Sequence, residues 1–345
     1  MHSANTLPKG VQRQTNLELL RLVSMFLVLV IHANTVYDPW PIDRTAVLNN
    51  PGHCAFRFLI ESLSCVCVNA FILLSGWFGI KFSVKRLLSF IFTVLFFSLV
   101  LALLPSARGQ GVHLLIDIFT LNQYWFVKAY IILFILSPAL NLFAEQSSKS
   151  LFQIVLIAFF IMQTVFSYIS NSSWFEDGFS PIPFIGLYLL ARYIRIHRPP
   201  FSSFKKTIDL SIYIGISFII TVLSIYLFKW LGTGGRLFNY TNPLVIVSSV
   251  FFFLFFTKIP IKNNAAVNWV AASSLGAYLL HLNPLVFDSD FVPTLASFSH
   301  RSSNGLLLLL IFIYLIAVFL TGVFIDKIRL LVWRMILRLS RRDIG

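Results

Sequence analysis

Residues 16–36 read NLELLRLVSMFLVLVIHANTV. The run is long enough to cross a bilayer as one α-helix, which takes about 20 apolar residues. A plain anchor has no use for ionisable side chains at membrane depth, where they are costly and face the bundle interior or a polar path. Three are present here, Glu18 and Arg21 near the start and His32 near the end. At about 100° per residue, the eleven steps from Arg21 to His32 come to roughly three turns. The two side chains therefore share one face, roughly 16 Å apart along the axis, and Glu18 falls on the edge of the same stripe. A snorkelling arginine or an interfacial histidine would be ordinary alone. Both on one stripe point to function.

Apolar runs of this kind recur along the chain. Of its 345 residues, 57% are hydrophobic and 12% charged, about half the charged share of a soluble domain. The fold class is all-α, a polytopic bundle of membrane-spanning helices. A membrane barrel would show ten-residue alternating segments instead. The net charge of +14 does not imply nucleic acid, because in a membrane protein the placement of basic residues matters more than their sum. The first run is too long for a signal peptide and has no small-x-small cleavage site after it, so it reads as a retained span. Cys54, Cys65 and Cys67 match no metal spacing.

About ten spans are predicted, at 16–36, 56–78, 87–104, 124–143, 151–169, 181–196, 208–230, 242–257, 267–287 and 305–325. They divide the chain into a cytoplasmic segment 1–15, a transmembrane domain 16–326 and a basic cytoplasmic tail 327–345. With the N-terminus inside, twenty of the 27 Lys and Arg fall on cytoplasmic segments. That bias places both termini in the cytoplasm and requires an even number of spans. Arg21 then lies toward the cytoplasm and His32 in the outer half. A loop after the third span carries Arg108, His113 and Asp117.

Two further groups stand out. His53, Arg57 and Glu61 follow at i, i+4 and i+8 on one face of the second span, which suits either a packing ion pair or a polar site. His281, in SLGAYLLHLNP, sits in the outer half of the ninth span. Two histidines at similar depth on separate helices can face one chamber, and histidine is the usual general base near neutral pH.

Four segments carry a family resemblance. Arg21 and His32 resemble the opening motif of the membrane-bound acyltransferase family 3, an arginine followed eleven residues later by a histidine. Phe71, Ser75, Gly76 and Trp77 in VNAFILLSGWFGIK resemble its phenylalanine-serine-glycine-aromatic segment. QYWFVKAYIILFILSPALN (123–141) is similar to its tryptophan-phenylalanine helix with a Ser-Pro-x-x-Asn finish, and SLGAYLLHLNP to its glycine-x-tyrosine-leucine-x-histidine helix. The family's Arg-x-x-Arg motif after the second helix is replaced by Lys81-Phe-Ser-Val-Lys85-Arg86, which keeps the charge but loses arginine's bidentate phosphate clamp.

The resemblance implies a bacterial cytoplasmic-membrane enzyme that O-acylates a cell-surface polysaccharide or its lipid-linked precursor. It implies acetyl-CoA as donor, with no metal. His32 would be the base, Arg21 would steady donor phosphate or developing charge, and His281 would orient the acceptor or assist proton transfer. Lys85 and Arg86, with Arg21, would hold the donor. No Ser or Cys has a persuasive nucleophile setting, so direct transfer is expected. A glycan or small-anion transporter or flippase would also use polar intramembrane residues, but it often shows repeated halves, and none is evident. A membrane scaffold would leave His32 without a purpose. Glu18 is expected to be the ion-pair partner of Arg21.

Overall fold

A computed structural model describes residues 13–37, 43–104, 123–170, 174–301 and 304–342. The loop carrying Arg108, His113 and Asp117 lies outside them. Among the described residues every regular element is helical. In chain order the helices are α1 (Thr15–Val36), α2 (Arg44–Asn49), α3 (Pro51–Ser64), α4 (Cys67–Phe78), α5 (Val84–Leu101), α6 (Trp125–Gln146) and α7 (Lys149–Gln163). They continue as α8 (Pro181–His197), α9 (Lys206–Leu231), α10 (Pro243–Thr257), α11 (Ala265–Ala271), α12 (Leu275–His281), α13 (Val292–Arg301) and α14 (Asn304–Arg342).

The all-α membrane bundle is borne out, with corrections to its span count. Among the described residues eight helices are long and apolar enough to cross a membrane, and up to nine if one bent pair counts as a single span. The predicted sixth span, α8, is only 17 residues long. At 1.5 Å per residue that is roughly 26 Å, short of a hydrocarbon core of about 30 Å. The predicted ninth span is not one helix. It breaks at Ala272–Ser274, again at Leu282–Asn283, and the halves 265–281 and 284–299 are bent by 67°. Asn283 causes the second break, since its side chain accepts from the Leu285 N–H and caps a new start at Pro284. The predicted second span begins earlier, at Pro51, and pauses at Cys65–Val66. The last span does not stop near residue 325. α14 runs 39 residues, so through residue 342 the predicted basic tail is the same helix continuing.

The core is built around α1 and α4. α4 packs against α8, α1 and α10, while α1 also meets α3, α11 and α12. The start of α1 is tied down by Asn16, whose Nδ2 donates to the carbonyls of Phe256 and Thr257 at 3.0 and 3.1 Å. Those are orphan acceptors at the end of α10. α9 and α10 are joined near one end by Lys258 and the buried carboxylate of Asp209, 2.5 Å apart. Pro138 inside α6 removes a backbone donor, and the Ser137 hydroxyl takes its place by donating to the Phe134 carbonyl at 2.7 Å.

Close backbone approach sets two of these contacts. A methyl group at Gly76 would collide with the Tyr188 carbonyl, so α4 and α8 meet where there is no side chain. Gly276 on α12 and Gly322 on α14 face each other in the same way, and a carbon added to Gly322 would lie 2.5 Å from the Ala277 backbone. Small residues at such crossings are what lets membrane helices pack closely. Gly322→Val should therefore overpack this crossing at a cost of about 1–3 kcal/mol, seen as a lower unfolding midpoint in detergent. A midpoint equal to that of the parent protein would contradict the close approach.

Candidate active site

The stripe on α1 forms one wall of a cavity of about 550 Å³ within the helix bundle. Arg21, Met25, Val28, His32 and Thr35 all line it, as the helical spacing requires. Opposite them stand Phe71 and Ser75 of α4, Phe90 of α5, Trp125, Phe126 and Tyr130 of α6, and Tyr278 of α12. Phe179, Asn239 and Tyr240 come from the connections 174–180 and 235–242.

His281 lies behind His32 rather than in the wall. It is fully buried at the last residue of α12, and its Nε2 is 3.1 Å from His32 Nδ1. Its own Nδ1 is 2.7 Å from the Ala277 carbonyl. A carbonyl only accepts, so Nδ1 of His281 carries a proton and Nε2 of the neutral ring is an acceptor. His32 must then donate from Nδ1, which leaves the lone pair on His32 Nε2. The bent span folds back over the pair, with the Phe287 ring against His32 and the Phe291 ring against His281. Tyr124, just before α6, donates to the Leu279 carbonyl at 2.7 Å and accepts from Asn283 Nδ2 at 3.1 Å. The end of α12 is held on both sides of its break.

Arg21 is paired with Glu18, Nη1 to Oε2 at 2.9 Å, which is the partnership expected for Glu18. Farther along, Asn34 links α1 to α3. Its Nδ2 donates to the Arg57 carbonyl at 3.2 Å and to Glu61 Oε2 at 2.8 Å, and its own carbonyl accepts from Arg57 Nη2 at 2.6 Å. The guanidinium of Arg57 also lies over the Tyr37 ring. Of the His53, Arg57 and Glu61 face, only Glu61 reaches the cavity wall.

The structure sets Arg21 and His32 along one cavity wall with His281 against His32, and does not bring in Lys85 or Arg86. Both are exposed at the start of α5, outside the cavity lining, and Arg86 is turned onto the Lys81 carbonyl. Tyr130, whose hydroxyl is 3.2 Å from Ser75 Oγ, was not visible as a site residue in the sequence; no spacing marks it apart from the other aromatics of α6. Phe179 and Tyr240 lie in connections with no periodicity to read. Among the described residues no group of three or more His, Cys, Asp and Glu is placed to hold a metal ion.

A polytopic helical bundle with an internal cavity lined by Arg21 and His32 places the chain among multi-pass membrane proteins. The family described as an acyltransferase domain, Acyl_transf_3, matches residues 14–326. The chain therefore belongs to acyltransferase family 3 and is an acyltransferase. No curated protein and no solved structure matches it.

The segments that carried the resemblance meet in space. Tyr124 joins the start of the tryptophan-phenylalanine helix to the HLNP break. At the helix's other end, Asn141 donates to the Ile80 carbonyl and accepts from Tyr188, whose hydroxyl also takes the Ile80 N–H. Nitrogen NMR of histidine-labelled protein in detergent should find His32 and His281 both neutral and protonated on Nδ1. An Nε2-protonated His281 would contradict the hydrogen bond to Ala277.

Proposed function

We propose that this acyltransferase moves an acetyl group from acetyl-CoA, bound from the cytoplasm, to a hydroxyl of a cell-surface polysaccharide or its lipid-linked precursor. The observation that carries the reading is the His32–His281 hydrogen bond on the wall of a cavity that also holds Arg21. The charge bias of the loops supports both termini in the cytoplasm and His32 toward the outer face of a bacterial cytoplasmic membrane.

In this reading His32 Nε2 takes the proton of the acceptor hydroxyl as that oxygen attacks the thioester carbonyl. His281 Nε2 accepts from His32 Nδ1–H throughout, so it orients the ring and stabilises the imidazolium that forms. The tetrahedral oxyanion collapses with loss of the CoA thiolate, which receives the proton from His32. Products are the O-acetyl ester and CoA-SH, and no covalent enzyme intermediate is needed. Arg21, held by Glu18, faces the anionic donor or the developing charge. Lys85 and Arg86 act from the exposed surface, drawing the donor's phosphates toward the cytoplasmic end.

His32→Ala should lower acetyl transfer by about 10²–10⁴-fold, the range for a positioned general base. The readout is the O-acetyl signal in NMR spectra of the surface polysaccharide, with membrane insertion checked in parallel. Unchanged acetylation in a normally inserted variant would remove His32 as the base. Arg21→Ala should raise the acetyl-CoA concentration needed for half-maximal rate, and unaltered donor dependence would count against a donor role for Arg21.

A further inference from the structure

The cavity is divided by charge. Among the described residues its lining holds one permanently cationic side chain, Arg21, and one carboxylate, Glu61. Glu61 is fixed by Asn34, which lies thirteen residues beyond Arg21 on α1, roughly 20 Å farther along the axis. A polyanionic donor finds its cationic lining partner only at the first end.

Aromatic rings are held at the cavity wall by several independent contacts. The Trp125 and Tyr240 rings are stacked at 6.2 Å with 24° between their planes, and Phe179 meets Trp125 edge-on at 4.6 Å. The Tyr240 segment is held by Asn69, which donates to the Tyr240 carbonyl at 3.1 Å, and by Ser167, which donates to Thr241 at 2.9 Å. Gly178, at φ 108°, leaves room for Tyr240 where any side chain would strike its Cβ. These are rigid, pre-placed faces, of the kind that fix a ligand at small entropic cost.

We propose that Glu61 and the Trp125–Tyr240–Phe179 wall form the acceptor subsite, and that its ligand is a neutral saccharide ring. The inference rests on the acyltransfer reading and deepens it. A pyranose presents C–H faces that pack on aromatic rings and hydroxyls that donate to a carboxylate. Glu61 has two oxygens with about four acceptor positions, of which Asn34 Nδ2 occupies one. The remainder suit the hydroxyls beside the one that is acetylated. A purely hydrocarbon ligand would leave those oxygens unsatisfied, which is costly at this depth, and an anionic one would meet no cationic side chain of the lining at this end. A cavity of about 550 Å³ is within the usual range for small-ligand sites. The subsite thus sets which hydroxyl is presented to His32.

The test uses full-length protein in nanodiscs and an O-deacetylated oligosaccharide cut from the producing cell's own surface polysaccharide. Binding is read by Trp fluorescence or calorimetry without donor, and acetyl transfer is read with acetyl-CoA. Glu61→Gln preserves the Asn34 contact and should weaken oligosaccharide binding and raise the acceptor KM by about tenfold, a loss of about 1.4 kcal/mol. The acetyl-CoA KM should stay within twofold. Trp125→Ala should act in the same direction, with Trp125→Phe recovering much of the loss. Acceptor binding and KM within twofold of the parent in both Glu61→Gln and Trp125→Ala would overturn the subsite, as would a rise confined to the acetyl-CoA KM. If the parent protein binds the oligosaccharide through Glu61 but transfers no acetyl to it, the saccharide site stands and the acyltransfer reading to that glycan falls.

Discussion

The site depends on one hydrogen bond between two rings, His32 Nδ1 to His281 Nε2 at 3.1 Å. Its polarity is decided by the Ala277 carbonyl behind it, because an acceptor there forces the proton arrangement of both rings. For that bond to exist, α12 must end at His281, turn away at Asn283 and lie close against α14. The Gly276–Gly322 crossing supplies the closeness, and the Asn283 cap with Pro284 supplies the turn. Tyr124 then ties the break to α6. A continuous ninth helix would have carried the chain straight on, and Phe287 and Phe291 would not close over the two rings.

The cavity uses the same economy of charge. Low dielectric makes an isolated ion expensive and an ion pair's geometry decisive, so Arg21 is held with Glu18 and Glu61 with Asn34. Between these ends the wall is mostly apolar and aromatic, with His32 as the titratable group of the α1 stripe beyond Arg21. On the proposed reading, the donor enters at the cationic end, the acceptor rests at the carboxylate end, and the histidine lies where they meet. On the same reading, the rings that form the wall would keep water from the thioester.

Much of the fold was legible because its physics is one-dimensional. Apolar runs of spanning length marked nearly every membrane helix, and the 3.6-residue period put Arg21 and His32 on one stripe. The Glu18 pairing followed from an i, i+3 spacing. What was not legible is three-dimensional. The break at Asn283 is written in an Asn-Pro pair, but inside an apolar run that pair did not reveal a 67° bend. α8 reads as a short span at 181–196 and is 17 residues long. The charge of Lys85 and Arg86 can be counted along a chain, whereas their exposure outside the cavity lining depends on how α5 is set against its neighbours. Glu61 could be placed on its helix face, but the cavity it lines is made with α1, α4, α5, α6, α12 and the connections 174–180 and 235–242. The aromatic wall from 174–180 and 235–242 has no period at all.

On the proposed mechanism, His32 is the proton acceptor in acetyl transfer. Chemical rescue tests it directly, using His32→Gly in nanodiscs with acetyl-CoA and a saccharide acceptor, titrated with imidazole. Transfer should be nearly absent without imidazole and should rise with the concentration of its neutral form. No response to imidazole, in a variant that still binds acetyl-CoA and the saccharide as the parent does, would contradict it.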